Sequence, residues 1–495
     1  VLEAGSLRNV IREVLDAASV EWDVKPAKLK EESFKYGVRT RTGQLAVYTR
    51  KAKARVPSRT VVLGQDRIPE SLEETLEEAI RYAEGKSYYA IERCITASDK
   101  YAYKILSLVE TDYPHLELMV DRNYFPCEKE GEPDIVTLDL PSFRDTWILV
   151  DRMSASNMIL ASDYYGELKM SFLRMAMNLS RDERFMPGLH AGSKQYTVRR
   201  MGRLETVGVL IFGLSGTGKT TLTLETHNLE RPENVTLRQD DIVILHPSGR
   251  ALGTEHNLYP KTDSVPELPA LQPAVAHPDA ILENVVVKDG IPDFSDLSIS
   301  KNARAVAIRE AIPHASYRVD LDRVNILVFL TRRPEMPALA RLTSPEQAVA
   351  YFMLGESWRT SAEAGKPEPV RVPGFDPFML EPKERSALLM LDYIKRLDLE
   401  VYVMNTGWVK HVKVKPEESK HLLLALVKGE VEYRHDSLLG VDVAVKARGV
   451  DMSHLDPRNV YTPSEYEAAV RRLKEERVKF FEEKLPSLKW LADYA

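Results

Sequence analysis

Apolar residues recur at helical spacing near the start of the chain, where Leu7, Val10, Ile11, Val14 and Leu15 follow Ser6. That spacing predicts an amphipathic helix with Ser6 as its N-cap. Residues 43–63 read as strands around a basic cluster, and 72–84 read as a surface helix. Short apolar runs bounded by Pro, Asp and Ser predict strands at 135–140, 147–150 and 158–161. Residues 165–179 predict a helix leading away from a turn. Further strands are expected at 207–212, 235–237, 242–245, 284–287, 324–330 and 401–404, with helical patterns at 345–353 and 383–396 among them. The C-terminal half is therefore mixed α/β. Thr462-Pro463-Ser464-Glu465 is a capping box with proline at the first helical position, ahead of a face formed by Tyr466, Val470, Leu473 and Phe480. No internal repeat or low-complexity segment is evident. A boundary is expected near residue 200, where Arg199, Arg200 and Arg203 precede a strand, giving domains 1–200 and 201–495.

Composition narrows the class. At 495 residues the chain has length for two or three domains. Its 44% apolar and 29% charged residues fit an ordinary globular protein. A net charge of −6 argues against a nucleic-acid partner. The short cluster Arg50-Lys51-Ala52-Lys53-Ala54-Arg55 suits an anionic small molecule instead. No run of 18 apolar residues predicts a membrane span, and the first residues lack a leader pattern, so a cytoplasmic enzyme, monomeric or a small homo-oligomer, is expected. Two cysteines, Cys94 and Cys127, imply neither a disulfide framework nor a cysteine zinc site.

The chemistry is concentrated in Gly213-Leu214-Ser215-Gly216-Thr217-Gly218-Lys219-Thr220, which fits the phosphate-cradling loop G-x-x-x-x-G-K-[ST]. An apolar strand precedes it, and nothing after Thr220 and Thr221 breaks a helix. Backbone N–H groups and the helix start would face phosphates, Lys219 would reach the terminal ones, and Thr220 would hold a magnesium ion. Asp240-Asp241 lies about twenty residues on, beside an apolar run, where such proteins place a metal-binding aspartate. His190 sits in Gly188-Leu189-His190-Ala191-Gly192, read as a small-residue loop outside any apolar periodicity. Taken alone, Lys261, Arg55 and Arg304 are undistinguished. The residues by themselves point to Mg-nucleotide-dependent phosphoryl transfer.

Several motifs in one order resemble the ATP-dependent phosphoenolpyruvate carboxykinases. GLSGTGKTTL resembles that family's kinase motif, YYGELK at 164–169 its Y-A-G-E-M-K-K, and GLHAG at 188–192 its metal-histidine loop. RQDD at 238–241, YPKT at 259–262, ILENVVV at 281–287, NAR at 302–304, RLT at 341–343, NTGW at 405–408 and LDPRN at 455–459 continue the series. The resemblance implies a two-domain α/β carboxykinase-like fold with a P-loop mononucleotide-binding C-terminal domain. It also implies that oxaloacetate and ATP become phosphoenolpyruvate, ADP and CO2. By position, Arg55, Tyr164 and Arg304 would bind substrate, and Lys261 would neutralise developing charge. Ser215 would lie near the reacting end, and Gly213 through Thr221, with Glu283 on the ribose side, would bind nucleotide. His190 and Asp241 would bind a second metal, typically manganese. Lys169 matches the first lysine of the family's pair, while its ligating second lysine corresponds to Met170. Ile242 and Val243 replace polar neighbours of the metal, and Val409-Lys410-His411-Val412 replaces a glycine-basic adenine segment. A carboxykinase-like kinase with another small acceptor and a non-catalytic nucleotide binder therefore remain as alternatives. GTP, ADP and pyrophosphate remain open beside ATP.

Overall fold

The predicted strands and helices form, with changed ends, in a computed structural model that describes residues 2–98, 100–359 and 368–495. The helix behind Ser6 runs Leu7–Ala17, but Ser6 makes no side-chain cap; its hydroxyl donates to the Glu3 carbonyl at 2.7 Å. The capping box at Thr462 does form, and opens helix Pro463–Lys484. The strand expected over 284–287 is broken: Ile281–Glu283 and Val286–Lys288 flank Asn284, whose φ is +59°. Asn284 tolerates that left-handed turn better than a β-branched residue would.

Two units are resolved, Val1–Leu179 with Gly253–Val319, and Ser180–Leu252 with Asp320–Ala495. They do not divide once at residue 200, and strand pairing explains why. Gly188–Arg200 pairs antiparallel along its length with Arg203–Phe212, so residues on both sides of the expected cut share one sheet. Ile281–Glu283 pairs with Leu45–Val47, which draws residues 253–319 to the N-terminal segment.

The first unit holds a mixed seven-stranded sheet in the order Ser19–Trp22, Ser87–Ile95, Tyr103–Glu110, Ile135–Leu140, Ser156–Leu160, Trp147–Asp151 and Thr60–Val62. One face presents Leu106, Leu108, Leu138 and Met158 to the apolar stripes of helices Leu7–Ala17 and Glu70–Glu84. The opposite face is buried but polar, carrying Ser107, Thr137, Asp139 and Asn157. There the Thr137 hydroxyl lies 2.9 Å from that of Ser171, on helix Tyr165–Arg184. A four-stranded sheet joins Arg304–Val306, Ile281–Glu283, Leu45–Val47 and Val38–Arg39. Against the expectation of no disulfide framework, Cys94 and Cys127 are bonded. The Cys94–Phe125 backbone bridge brings the two segments side by side, which spacing of 33 residues in sequence did not reveal.

The second unit is organised by parallel pairing of Arg203–Phe212 with Ile326–Thr331, and of the latter with Glu400–Asn405. Leu210, Phe212, Leu327, Phe329, Val401 and Val403 fill one face; Val209, Ile211, Ile326, Val328, Tyr402 and Met404 fill the other. Burial on both faces is why these strands read as continuous apolar runs. Arg477 interrupts the apolar face of helix Pro463–Lys484. It is 1% exposed and donates to Glu356 at 2.7 Å, while Arg371 donates to the same carboxylate at 2.6 Å. Burial raises the Glu356 pKa, but Arg477, Arg333 and Arg371 outweigh it and hold the group at about 2. Among the described residues no helix is long and apolar enough to cross a membrane.

Candidate active site

In the second unit the strand Arg203–Phe212 delivers the chain into the glycine loop, and helix Lys219–Leu224 leaves it. A Cβ on Gly213 would lie 2.4 Å from the Thr217 hydroxyl, so only glycine fits there. That hydroxyl donates to the Leu214 carbonyl at 2.7 Å and folds the loop onto itself. Gly218 takes φ +90° immediately before Lys219, a conformation that a side chain would strain. Ser215 and Gly216 are exposed at the tip, and Thr220 and Thr221 lie on the first helical turn. From just beyond strand Glu400–Asn405, the Thr406 hydroxyl donates to the Thr217 carbonyl at 2.7 Å.

His190 is on a strand, not in a loop: it is the third residue of Gly188–Arg200, paired with Ile242. The predicted loop character came from small residues that here allow close packing of strand and helix; a Cβ on Gly192 would meet the Thr223 side chain. His190 Nδ1 lies 2.7 Å from the Phe375 carbonyl, which can only accept, so Nδ1 carries the hydrogen. In the neutral ring Nε2 then offers its lone pair. Nε2 is 3.0 Å from Asp241 Oδ1, and Lys219 Nζ lies 2.9 Å from Nε2 and 3.3 Å from the same oxygen. A lone pair and a carboxylate oxygen this close repel unless a proton or cation lies between them. The Lys219 ammonium supplies that charge here, and an imidazole with a carboxylate also suits a divalent transition metal. Among the described residues no group of three or more His, Cys, Asp or Glu side chains gathers as a metal cluster, so further ligands would come from elsewhere. Ile242 and Val243 are fully buried core residues of strand Ile242–Leu245, consistent with their apolar replacement of polar neighbours.

In the first unit two of the expected substrate residues, Tyr164 and Arg304, meet at Asn302. Its Nδ2 donates to the Tyr164 hydroxyl at 2.9 Å and to the Lys53 carbonyl at 3.3 Å. Its Oδ1 accepts from Arg304 Nε and Nη2, each at 3.3 Å. Arg304 Nη1 donates to the Tyr259 carbonyl at 3.2 Å, and a backbone bridge sets Lys261 opposite Arg304. Gly166 makes room for the Tyr164 ring: a Cβ there would lie 2.4 Å from it. Arg55 is half-buried in the loop before the short helix Pro57–Arg59.

Two expected site residues are engaged otherwise. Glu283 is fully buried and accepts from the Tyr165 N–H at 2.8 Å and from the Tyr259 hydroxyl. Burial raises its pKa to about 7 against those hydrogen bonds. It braces the Tyr164 and Tyr259 segments. Lys169 is 3% exposed and 3.1 Å from Glu255, with its ammonium 5.6 Å from the centre of the Tyr259 ring. Met170 is buried beside it in the chain, at 7%. Sequence reasoning missed Asn302, Tyr259 and the Phe375 carbonyl as orienting groups. The first two stand inside the quoted motifs NAR and YPKT; a backbone carbonyl leaves no mark on residue identity.

Over residues 18–453 the sequence matches the family described as phosphoenolpyruvate carboxykinase. It is 58% identical over 490 residues, covering 99% of both chains, to a phosphoenolpyruvate carboxykinase (ATP) of Aeropyrum pernix. A protein of the same description from Rhizobium rhizogenes is 27% identical over 506 residues, covering 92% of this chain and 90% of the relative.

Proposed function

The chain belongs to the phosphoenolpyruvate carboxykinase family, and from that membership we propose how its residues divide the work. The protein is an enzyme that converts oxaloacetate and ATP to phosphoenolpyruvate, ADP and CO2. The C–C bond to the departing carboxylate breaks and leaves its electron pair in an enolate. The enolate oxygen then bonds the γ-phosphorus of ATP as the bond to the ADP oxygen breaks. Phosphoryl transfer of this kind depends on positioning and charge stabilisation.

In this reading Gly213 through Thr221 cradle the phosphates of ATP, with Ser215 at the exposed tip of the loop. Lys219 neutralises charge on the transferring group. Arg55 and Arg304 bind carboxylates through their guanidinium forks, Tyr164 lines the acid, and Lys261 offsets enolate charge. His190 Nε2 and Asp241 would hold a manganese-class ion, and Thr220 a magnesium ion; such ions act as Lewis acids on phosphoryl oxygens. Asn302 and Glu283 hold Tyr164, Tyr259 and Arg304 in register. Lys169, already paired with Glu255, contributes buried charge near Tyr259.

The observation that carries the reading is the convergence of Lys219, His190 and Asp241 within 3.3 Å of one another at the phosphate loop. Incubation with oxaloacetate, ATP, Mg²⁺ and Mn²⁺ is expected to yield phosphoenolpyruvate and CO2 in equal amounts. Phosphorylation of another acceptor only, or ATP binding without product, would overturn it.

A further inference from the structure

A buried carboxylate in the first unit is engaged with the backbone of a loop. Asp163, 1% exposed, precedes Tyr164. Its Oδ2 accepts from the Arg50 N–H at 2.5 Å, and its Oδ1 from the N–H groups of Lys51 at 3.0 Å and Ala52 at 3.3 Å. Three consecutive backbone donors thus converge on one side chain. Immediately upstream, Asn284 Oδ1 accepts from the Thr49 N–H at 2.9 Å and the Thr49 hydroxyl at 3.1 Å. Downstream, Lys53 Nζ donates to the Ile299 carbonyl at 3.0 Å, and the Lys53 carbonyl accepts from Asn302.

The loop so fixed carries Arg50, Lys51, Lys53 and Arg55. Four like charges in six residues repel one another and favour an extended, mobile loop. A buried carboxylate is itself costly unless hydrogen-bonded, and it would repel an anionic substrate. Backbone donors answer both difficulties: they satisfy the Asp163 carboxyl without using the cationic side chains of the loop in those hydrogen bonds. Asp163 is also one peptide bond from Tyr164, whose hydroxyl meets Asn302, which meets Arg304. One residue therefore couples the Arg55 loop to the Tyr164–Asn302–Arg304 cluster.

We propose that Asp163 is a positioning residue that sets Arg55 in register with Tyr164 and Arg304 for recognition of a small dicarboxylate. The inference rests on the assignment of Arg55 and Arg304 to the substrate acid. It goes further by naming the residue that organises them and predicting that nucleotide recognition is independent of it.

The test uses the protein with Asp163→Asn and Asp163→Ala. Calorimetry with oxalate and separately with ATP reads binding; steady-state kinetics reads the KM for each substrate. Oxalate affinity is expected to fall roughly 10- to 100-fold in Asp163→Ala, the scale of losing hydrogen bonds to a charged group. Asp163→Asn keeps an acceptor for Lys51 and Ala52 and is expected to lose less. The oxaloacetate KM should rise in parallel, with ATP affinity and ATP KM changed less than about 2-fold. Unchanged oxalate binding, or equal loss of oxalate and ATP binding in the folded Asn variant, would overturn the inference. Failure of the wild-type protein to make phosphoenolpyruvate would instead overturn the function assignment, and oxalate binding would still decide the role of Asp163.

Discussion

The glycine loop and the cluster proposed to bind the substrate acid differ in construction. The loop is eight contiguous residues whose shape comes from Gly213, the Thr217–Leu214 hydrogen bond and the turn at Gly218. The cluster joins Tyr164, Arg304 and the Tyr259–Lys261 segment through Asn302, Tyr259 and Glu283, and Asn302 also reaches the Lys53 carbonyl of the loop that carries Arg55. The first site is local and rests on backbone; the second is non-local and rests on side chains. A local site tolerates change elsewhere, whereas a non-local one fails when any tie is cut.

The largest expected effect falls on the local site. Lys219→Ala should lower kcat/KM by on the order of 10²- to 10³-fold, as for removal of a preorganised charge-stabilising donor. Oxalate binding should persist in that variant; its loss would show that the two sites are not separable. Next, cutting the Cys94–Cys127 bond should destabilise the first unit. A closed loop of this length is worth about 3 to 4 kcal/mol in the chain-entropy treatment. Hydrogen exchange of Cys94→Ser should localise the loss to Val1–Leu179 with Gly253–Val319, and a uniform change across both units would refute that localisation. His190→Ala should raise the Mn²⁺ concentration for half-activation roughly 10- to 100-fold, with little change in oxaloacetate KM. An unchanged Mn²⁺ requirement would remove His190 from the metal site.

The two units should also respond oppositely to pH. Glu283 has a folded pKa raised to about 7, so its contribution is fully present below its unfolded value of 4.5 and is lost as pH rises through 7. Glu356 has a folded pKa lowered to about 2, so its contribution is present above 4.5 and is lost as pH falls towards 2. Urea unfolding across pH should show Glu283→Gln flattening the loss between 4.5 and 7 while leaving the acid limb intact. This is the smallest effect, and an unchanged slope between 4.5 and 7 would contradict the assignment.

What could be read from the chain follows the same division. The strand, glycine loop and helix were legible because the loop's signature is written in adjacent residues and an apolar run leads into it. Arg55, Lys261 and Arg304 acquired meaning only through motif order. Pairing across distant segments determines their neighbourhood, as when Ile281–Glu283 joins Leu45–Val47. The same non-local pairing hid the true division of the units and the strand character of Gly188–Arg200. His190 was legible as a candidate, but the group that selects its tautomer was not, because the Phe375 carbonyl is backbone. Ile242 and Val243, read as lost polar neighbours, are the buried strand against which His190 and Leu189 pair. The burial of Glu283 and its hydrogen bonds to the Tyr165 N–H and the Tyr259 hydroxyl, which tie two distant segments, left no mark in the motif.

The separation of acid recognition from nucleotide recognition is tested most directly by measuring oxaloacetate KM and ATP KM in Arg304→Lys. Lysine keeps the charge but loses the planar fork that reaches Asn302 and Tyr259. The expected result is an oxaloacetate KM raised about 10-fold or more, with the ATP KM unchanged. A rise confined to the ATP KM, or shared equally by both, would contradict the assignment of Arg304 to the substrate acid.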